Sequence, residues 1–220
     1  MNEKEQLIRT GRHLLAAQLA WGTSGNMSAR IDTDTMIITA SGTQMGNLNS
    51  DDFVECEIFT GKVTGTKKAS KETPMHIGIY REREDINAVL HSSPFYATLF
   101  SCSDTPIDSR LFVETMYYLE NIAYVDYFHP GAQELADAIM KSAKAANVII
   151  MRHHGVVILD KNISEAIVRL ETLEMACRMI LQAKASGVRL NSISDAVVKS
   201  FLEDSGYRPR QIPPAKQVKA

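Results

Sequence analysis

Cysteine is scarce in this chain, limited to Cys56, Cys102 and Cys177. Their odd number, wide spacing and apolar neighbours exclude a disulfide framework and point to reduced, mostly buried thiols. No C-x-x-C pair exists, which also excludes a cysteine-based zinc site. Charge of either sign is nearly balanced, at −2 from 24 basic and 26 acidic residues, so bulk charge gives no reason to expect nucleic acid or membrane binding. No apolar run approaches the roughly 18 residues of a membrane span. The N-terminus, Met1-Asn2-Glu3-Lys4-Glu5, is polar and mixed in charge, unlike a signal peptide, and a cytoplasmic protein is expected. Repeats, low-complexity blocks and internal linkers are missing too. What remains is ordinary globular material, 45% apolar over 220 residues, enough for one domain with a buried core.

Periodicity divides that domain into alternating elements. Leu7, Ile8, Leu14, Leu15 and Leu19 recur at helical spacing over residues 3–20, before a loop of small residues, Gly22-Thr23-Ser24-Gly25-Asn26. Met36-Ile37-Ile38 predicts a strand leading into Ser41-Gly42-Thr43. Val54, Cys56 and Ile58 alternate, and Thr60-Gly61-Lys62 turns the chain back through Val63 as a hairpin. Pro74 suits the first turn of a helix carrying Met75, Ile79 and Tyr80, with Glu72 at its start. Ala88-Val89-Leu90 reads as a buried strand delivering His91-Ser92-Ser93-Pro94 into a turn. Residues 95–103 read as helical, 104–131 as less regular, and 133–144 as a helix. Two apolar strands, 148–151 and 156–159, flank His153-His154-Gly155. Asn162 with Glu165 resembles a capping box opening a long helix that stops at Gly187. This order predicts one three-layer α/β/α domain over 1–207 with a mostly antiparallel central sheet. Residues 208–220, rich in proline and lysine, read as a tail without a core of its own.

Chemistry-bearing residues gather at the junctions. The loop at 22–26 and the Ser41-Gly42-Thr43 turn offer hydroxyls and backbone N–H groups that suit a phosphate, although such clusters are usually plain turns. Ser70-Lys71-Glu72 adds a hydroxyl, a cation and a carboxylate in succession, and Lys71 beside those loops is a candidate anion clamp. Glu72, His91 and His154 would supply one oxygen and two nitrogens to a divalent metal with a position left open for substrate. For any one of those histidines its own hydrogen bonds are the better explanation; three residues at junctions shift the balance toward the metal reading. On an extended segment His153 would point away from His154, so both cannot ligate one ion. His76, four residues from Glu72 on a helix, reads as packed behind the site, and His13 reads as structural.

Together, Gly22-Thr23-Ser24-Gly25-Asn26-Met27-Ser28, Thr39-Ala40-Ser41-Gly42, Ser70-Lys71-Glu72-Thr73-Pro74-Met75-His76 through Tyr80, Ala88-Val89-Leu90-His91 and His153-His154-Gly155 resemble the class II aldolase/adducin family. The nearest flavour is the L-fuculose-1-phosphate aldolase type, and the resemblance runs from about residue 3 to 186. It implies a homotetramer with active sites between subunits and a metal-dependent lyase acting on a small sugar phosphate such as a ketose 1-phosphate. It also implies a divalent cofactor, zinc first, with manganese or iron as alternatives, serving as a Lewis acid. By position, Thr23, Gly25, Asn26, Ser41, Gly42, Ser70 and Lys71 fall where the family holds the substrate phosphate. Glu72 falls on the catalytic carboxylate and metal ligand, and His91 and His154 on ligand histidines. Tyr207 lies where a tail tyrosine would act as the acid, and Phe112 stands at another tyrosine position, with Tyr117 and Tyr118 close by.

Two positions depart from the pattern. The family's His-x-His reads His91-Ser92-Ser93 here, so weaker metal binding is expected unless water, Glu72 or a side chain such as His129 fills the gap. Lys71 replaces a common second serine, which would tighten anion binding or alter its geometry. Two other readings share the fold: a binding or scaffold protein without catalysis, and an epimerase, dehydratase or decarboxylase.

Overall fold

The computed structural model describes residues 2–213. Its centre is an eight-stranded sheet in the order β4-β3-β2-β1-β5-β8-β7-β6. The strands are β1 (Asn26–Arg30), β2 (Thr35–Thr39), β3 (Phe53–Glu57), β4 (Val63–Thr64), β5 (Ala88–Ser92), β6 (Ile122–Val125), β7 (Val148–Met151) and β8 (Gly155–Asp160). Every neighbouring pair is antiparallel except β6 and β7. That parallel pair needs a crossover, which helix α5 (Gln133–Ala143) provides.

Alternation along the strands makes the three layers. In β5 and β8, Ala88, Leu90, Val156 and Ile158 face one core, whereas Val89, Val157 and Leu159 face the other. On the first face lie α1 (Glu3–Ala16), α3 (Phe95–Ser101), α4 (Val113–Tyr118) and α6 (Ile163–Ser186), contributing residues such as Leu7, Leu14, Tyr117 and Leu170. On the second face α2 (Thr73–Glu82) and α5 contribute Met75, Ile79, Leu135 and Ile139. The expected α/β/α domain with a mostly antiparallel sheet is therefore the one observed.

Several local expectations change. The first helix stops at Ala16 rather than near residue 20, because Gln18 turns into the left-handed region at φ 59°. The small-residue loop ends one residue sooner, since Asn26 already belongs to β1. The stretch 104–131 holds both α4 and β6, and α7 (Asp195–Asp204) follows the long helix. Asn162 caps α6 by accepting from the Glu165 amide, and Gly187 ends it at φ 73°. Cys56 and Cys177 are buried and Cys102 is exposed, all three as free thiols.

After α7 the chain returns across the molecule. Arg208 pairs with Glu165, Arg210 with Glu120, and Gln211 reaches Asp160 and Arg169. Residues 208–213 thus lie along the body through polar contacts, and residues 214–220 lie outside the described residues.

Candidate active site

Antiparallel pairing brings distant segments to one end of the three central strands. β1 begins at Asn26, β5 ends at Ser92 and β8 begins at Gly155, so their chain ends meet. Asn26 pairs with His91, and Ser92 with Val156. The N-terminus of α2 brings Glu72 to the same place as its cap residue. Two glycines permit the crowding. A Cβ on Gly25 would stand 2.4 Å from the His91 carbonyl oxygen, at φ +87°. One on Gly155 would stand 2.6 Å from the Ser92 carbonyl oxygen, at φ +148°.

Glu72, His91 and His154 each offer a ligand atom, and these atoms lie within 4.8 Å of one another. The hydrogen-bond polarity explains what they can hold. His91 Nδ1 sits 3.0 Å from the Val156 carbonyl, which only accepts, so Nδ1 carries the proton. In the neutral ring its Nε2 then points a lone pair at Glu72 Oε2, 3.4 Å away. His154 Nε2 is 3.5 Å from Glu72 Oε1. Three buried side-chain polar atoms lack a hydrogen-bond partner among the described residues: Glu72 Oε1, His154 Nδ1 and Thr98 Oγ1. All three belong to residues lining one cavity of about 530 Å³. Buried polar atoms seldom go unpaired, and a carboxylate facing the Nε2 atoms of two imidazoles at 3.4 and 3.5 Å is an arrangement that a cation satisfies. The donor set of one carboxylate and two imidazoles fits a divalent metal.

Electrostatics agree with that geometry. Burial pushes the Glu72 carboxyl up, but His91, the Asn26 hydrogen bond, His154 and His76 outweigh it, leaving the carboxyl below its ordinary range. Burial, then His91, lowers His154 despite the opposing Glu72 charge, which favours the neutral ring a metal needs. The two imidazoles meet edge to face, with ring centroids 4.9 Å apart.

Thr23, Gly25, Asn26, Ser41, Gly42, Ser70 and Lys71 all line the cavity with Glu72, His91 and His154. Lys71 carries no ion pair among the described residues, so its ammonium is uncommitted. The Asn26 side chain is committed: Nδ2 donates to Glu72 Oε2 at 2.6 Å, and Oδ1 faces His76 Nε2 at 2.5 Å. Tyr207 is not brought to the cavity of its own chain; its ring packs on Tyr117 and Phe201. Phe112 precedes α4 as its cap residue, and the Tyr117 hydroxyl donates to the Pro209 carbonyl.

The serine expected to thin the metal set lies outside it. Ser93 lines the cavity, but its hydroxyl accepts from Ser24 Oγ at 2.8 Å and donates to the His154 carbonyl at 3.3 Å. The Glu72–His91–His154 triad is intact without it. His129 does not fill a fourth place, since it neither joins this ligand group nor lines the cavity. His153 also lines the cavity, held at φ 57° in a turn rather than on an extended segment.

Sequence reasoning missed Trp21, Thr98 and Pro130 in the lining. It also missed the Asn26 bond to Glu72, for which a signal existed. Asn26 and Ser28 are two apart in a strand, so they share a face, and both reach His76.

A carboxylate–imidazole set at the end of an antiparallel sheet, opening on a hydroxyl-lined cavity, is a metal-binding triad beside a pocket of small-molecule size. Residues 5–181 match the model of the Class II Aldolase and Adducin N-terminal domain. The chain is 33% identical over 179 residues to an L-fuculose phosphate aldolase of Methanocaldococcus jannaschii, covering 81% of this chain and 96% of that one. It is 26% identical to a 3-oxo-tetronate 4-phosphate decarboxylase of Haemophilus influenzae, covering 93% and 97%. A solved L-fuculose 1-phosphate aldolase superposes with a TM-score of 0.83 at 26% identity, covering 93% and 96%. The chain belongs to the class II aldolase/adducin family, and the triad on this fold supports a catalytic, metal-dependent activity of lyase type.

Proposed function

We propose that this protein cleaves a carbon–carbon bond in a small ketose 1-phosphate by a metal-dependent retro-aldol reaction, of the L-fuculose-1-phosphate aldolase type. The carrying observation is the group of partnerless buried atoms around Glu72 and His154 in a cavity that also holds an uncommitted lysine. A bound divalent ion, zinc in the first place, would be held by Glu72, His91 and His154 and would supply Lewis-acid stabilisation of the electron pair released on cleavage. Lys71, Thr23, Ser41 and Ser70, with the backbone of Gly25, Asn26 and Gly42, would hold the phosphate and fix the substrate in register. Glu72 would move the proton at the carbon freed by cleavage, with Oε1 as the available atom. Tyr207 would exchange the proton of the aldehyde oxygen at the site of a neighbouring subunit in a homotetramer, since it does not line its own cavity. In this reading residues 1–207 are the catalytic domain and 208–220 a tail.

A second reading, decarboxylation of a 3-oxo acid phosphate, is favoured by the match to the decarboxylase across nearly the whole length of both chains. The two reactions share an electron sink, because each leaves an electron pair on carbon next to a carbonyl group. They differ in what departs, an aldehyde or carbon dioxide. The deciding assay incubates the metal-loaded protein with a panel of ketose 1-phosphates and with a 3-oxo acid 4-phosphate. Cleavage of a ketose 1-phosphate to dihydroxyacetone phosphate and an aldehyde supports the aldolase reading; release of carbon dioxide from the 3-oxo acid 4-phosphate, which also leaves dihydroxyacetone phosphate, with every ketose 1-phosphate left intact replaces it with the second; and turnover of neither substrate contradicts both.

A further inference from the structure

Leading back from Glu72, four buried polar side chains form a single file, of which Asn26 also lines the cavity. β1 supplies Asn26 and Ser28 from one face, two residues apart. The segment from the cap of α2 supplies Glu72, His76 and Tyr80, four residues apart and therefore on one face of the helix. The two sets interleave. Tyr80 OH lies 2.9 Å from Ser28 Oγ, Ser28 Oγ 2.7 Å from His76 Nδ1, His76 Nε2 2.5 Å from Asn26 Oδ1, and Asn26 Nδ2 2.6 Å from Glu72 Oε2. Ser28 and His76 are fully buried and Tyr80 nearly so. Arg30 closes the far end, its guanidinium 5.0 Å above the Tyr80 ring.

The charge on Glu72 fixes the direction of every bond in this file. An ionised carboxylate only accepts, so Asn26 must turn its NH₂ toward Glu72 and its carbonyl oxygen toward His76. His76 must then carry its proton on Nε2. A neutral imidazole protonated there accepts at Nδ1, so Ser28 donates to it, and Tyr80 in turn donates to Ser28. One proton arrangement satisfies all four contacts, and each link donates toward Glu72. Burial reinforces the neutral ring, because a charged imidazole would lose its hydration there. The result at the site is asymmetric: Glu72 Oε2 takes a short hydrogen bond, whereas Oε1 has no hydrogen-bond partner.

We propose that His76 is a positioning residue, which locks the Asn26 amide in one orientation so that Oε2 of Glu72 is capped and Oε1 is left free for the metal or the substrate proton. The assignment rests on the reading of Glu72 as a metal ligand and proton carrier. It requires no contact between His76 and substrate. A network that merely satisfied buried polar groups would affect stability alone, whereas a positioning network also sets the affinity of the ligand it orients.

Two measurements separate these cases. Histidine ¹⁵N NMR of the metal-free protein is expected to find His76 protonated on Nε2, and an Nδ1-protonated ring would overturn the proposal. Cobalt(II) titration then compares the wild type with His76→Leu and His76→Gln, each also followed by urea denaturation. The glutamine amide can donate to Asn26 and accept from Ser28; leucine can do neither. His76→Leu is expected to weaken cobalt binding about 10- to 100-fold, as loss of a ligand-orienting partner does, with most of that recovered in His76→Gln. Equal affinity in wild type and both variants, with only stability reduced, would overturn it. Should the leucine variant fail to fold, Ser28→Ala takes its place, expected to mix the His76 tautomers and weaken binding by a smaller factor. Unchanged tautomer and affinity in that variant would count against the relay. If the wild type itself bound no cobalt, the metal reading would fall, while the tautomer would still decide the relay.

Discussion

Glu72 is the residue on which opposing forces meet: burial disfavours its charge, and His91, Asn26, His154 and His76 together overcome that penalty. Crowding enforces the meeting. Replacing Gly25 with alanine would drive a methyl group into the His91 carbonyl and force a left-handed φ on a residue with a Cβ. A loss of about 1–3 kcal/mol in urea unfolding is expected, together with weaker metal binding as His91 is displaced. His76 gives stability a pH dependence of known sign, since burial pushes its folded pKa from 6.5 down to about 3. Below about pH 6.5 the unfolded chain takes up a proton that the folded chain refuses. The stability contribution is complete above that pH and is lost as pH falls toward 3. The urea midpoint is therefore expected to drop between pH 7 and pH 5, and the drop should be smaller in His76→Gln. An equal drop in both proteins would remove His76 from the account.

Among the elements, those with strong local signals were legible in the sequence. Asn162 and Gly187 bracket α6 as expected, and Pro74 starts α2 with Glu72 as its cap. Asn162→Ala is expected to cost about 1 kcal/mol in thermal or urea unfolding while leaving metal content unchanged, because the cap is not part of the cavity. Elements without such signals were missed. α4 has six residues and β6 four, too short for a period to register, and β6 takes its place only by pairing with β7. α7 is the exception, missed although Ser194 caps it and Val197, Val198, Phe201 and Leu202 recur at helical spacing, with Phe201 and Leu202 packed against the core. In the site, Glu72, His91 and His154 stood out because each sits at a junction. Trp21 and Thr98 did not, since only the tertiary fold turns them toward the cavity. Ser93 misled for the same reason: a missing histidine is visible in sequence, but the hydroxyl's bonds to Ser24 and His154 are not.

For the whole molecule, the proposed tetramer and the proposed role of Tyr207 stand together. Within one chain Tyr207 packs beside Tyr117 and Phe201, away from the cavity lining. Light scattering is expected to give a particle of four 24.4 kDa chains. Tyr207→Phe is expected to lower kcat while metal content stays at the wild-type level; an unchanged kcat would remove Tyr207 from the mechanism, and a monomer in solution would leave its proposed route to a site without a partner. The central claim is more basic than either: Glu72, His91 and His154 hold a divalent metal without a fourth protein ligand. The direct measurement is metal analysis of protein purified after growth with supplemented zinc, manganese and iron. Close to one ion per chain in the wild type, and its loss in His154→Ala, is the expected result. A wild-type protein free of metal after such growth would contradict the account.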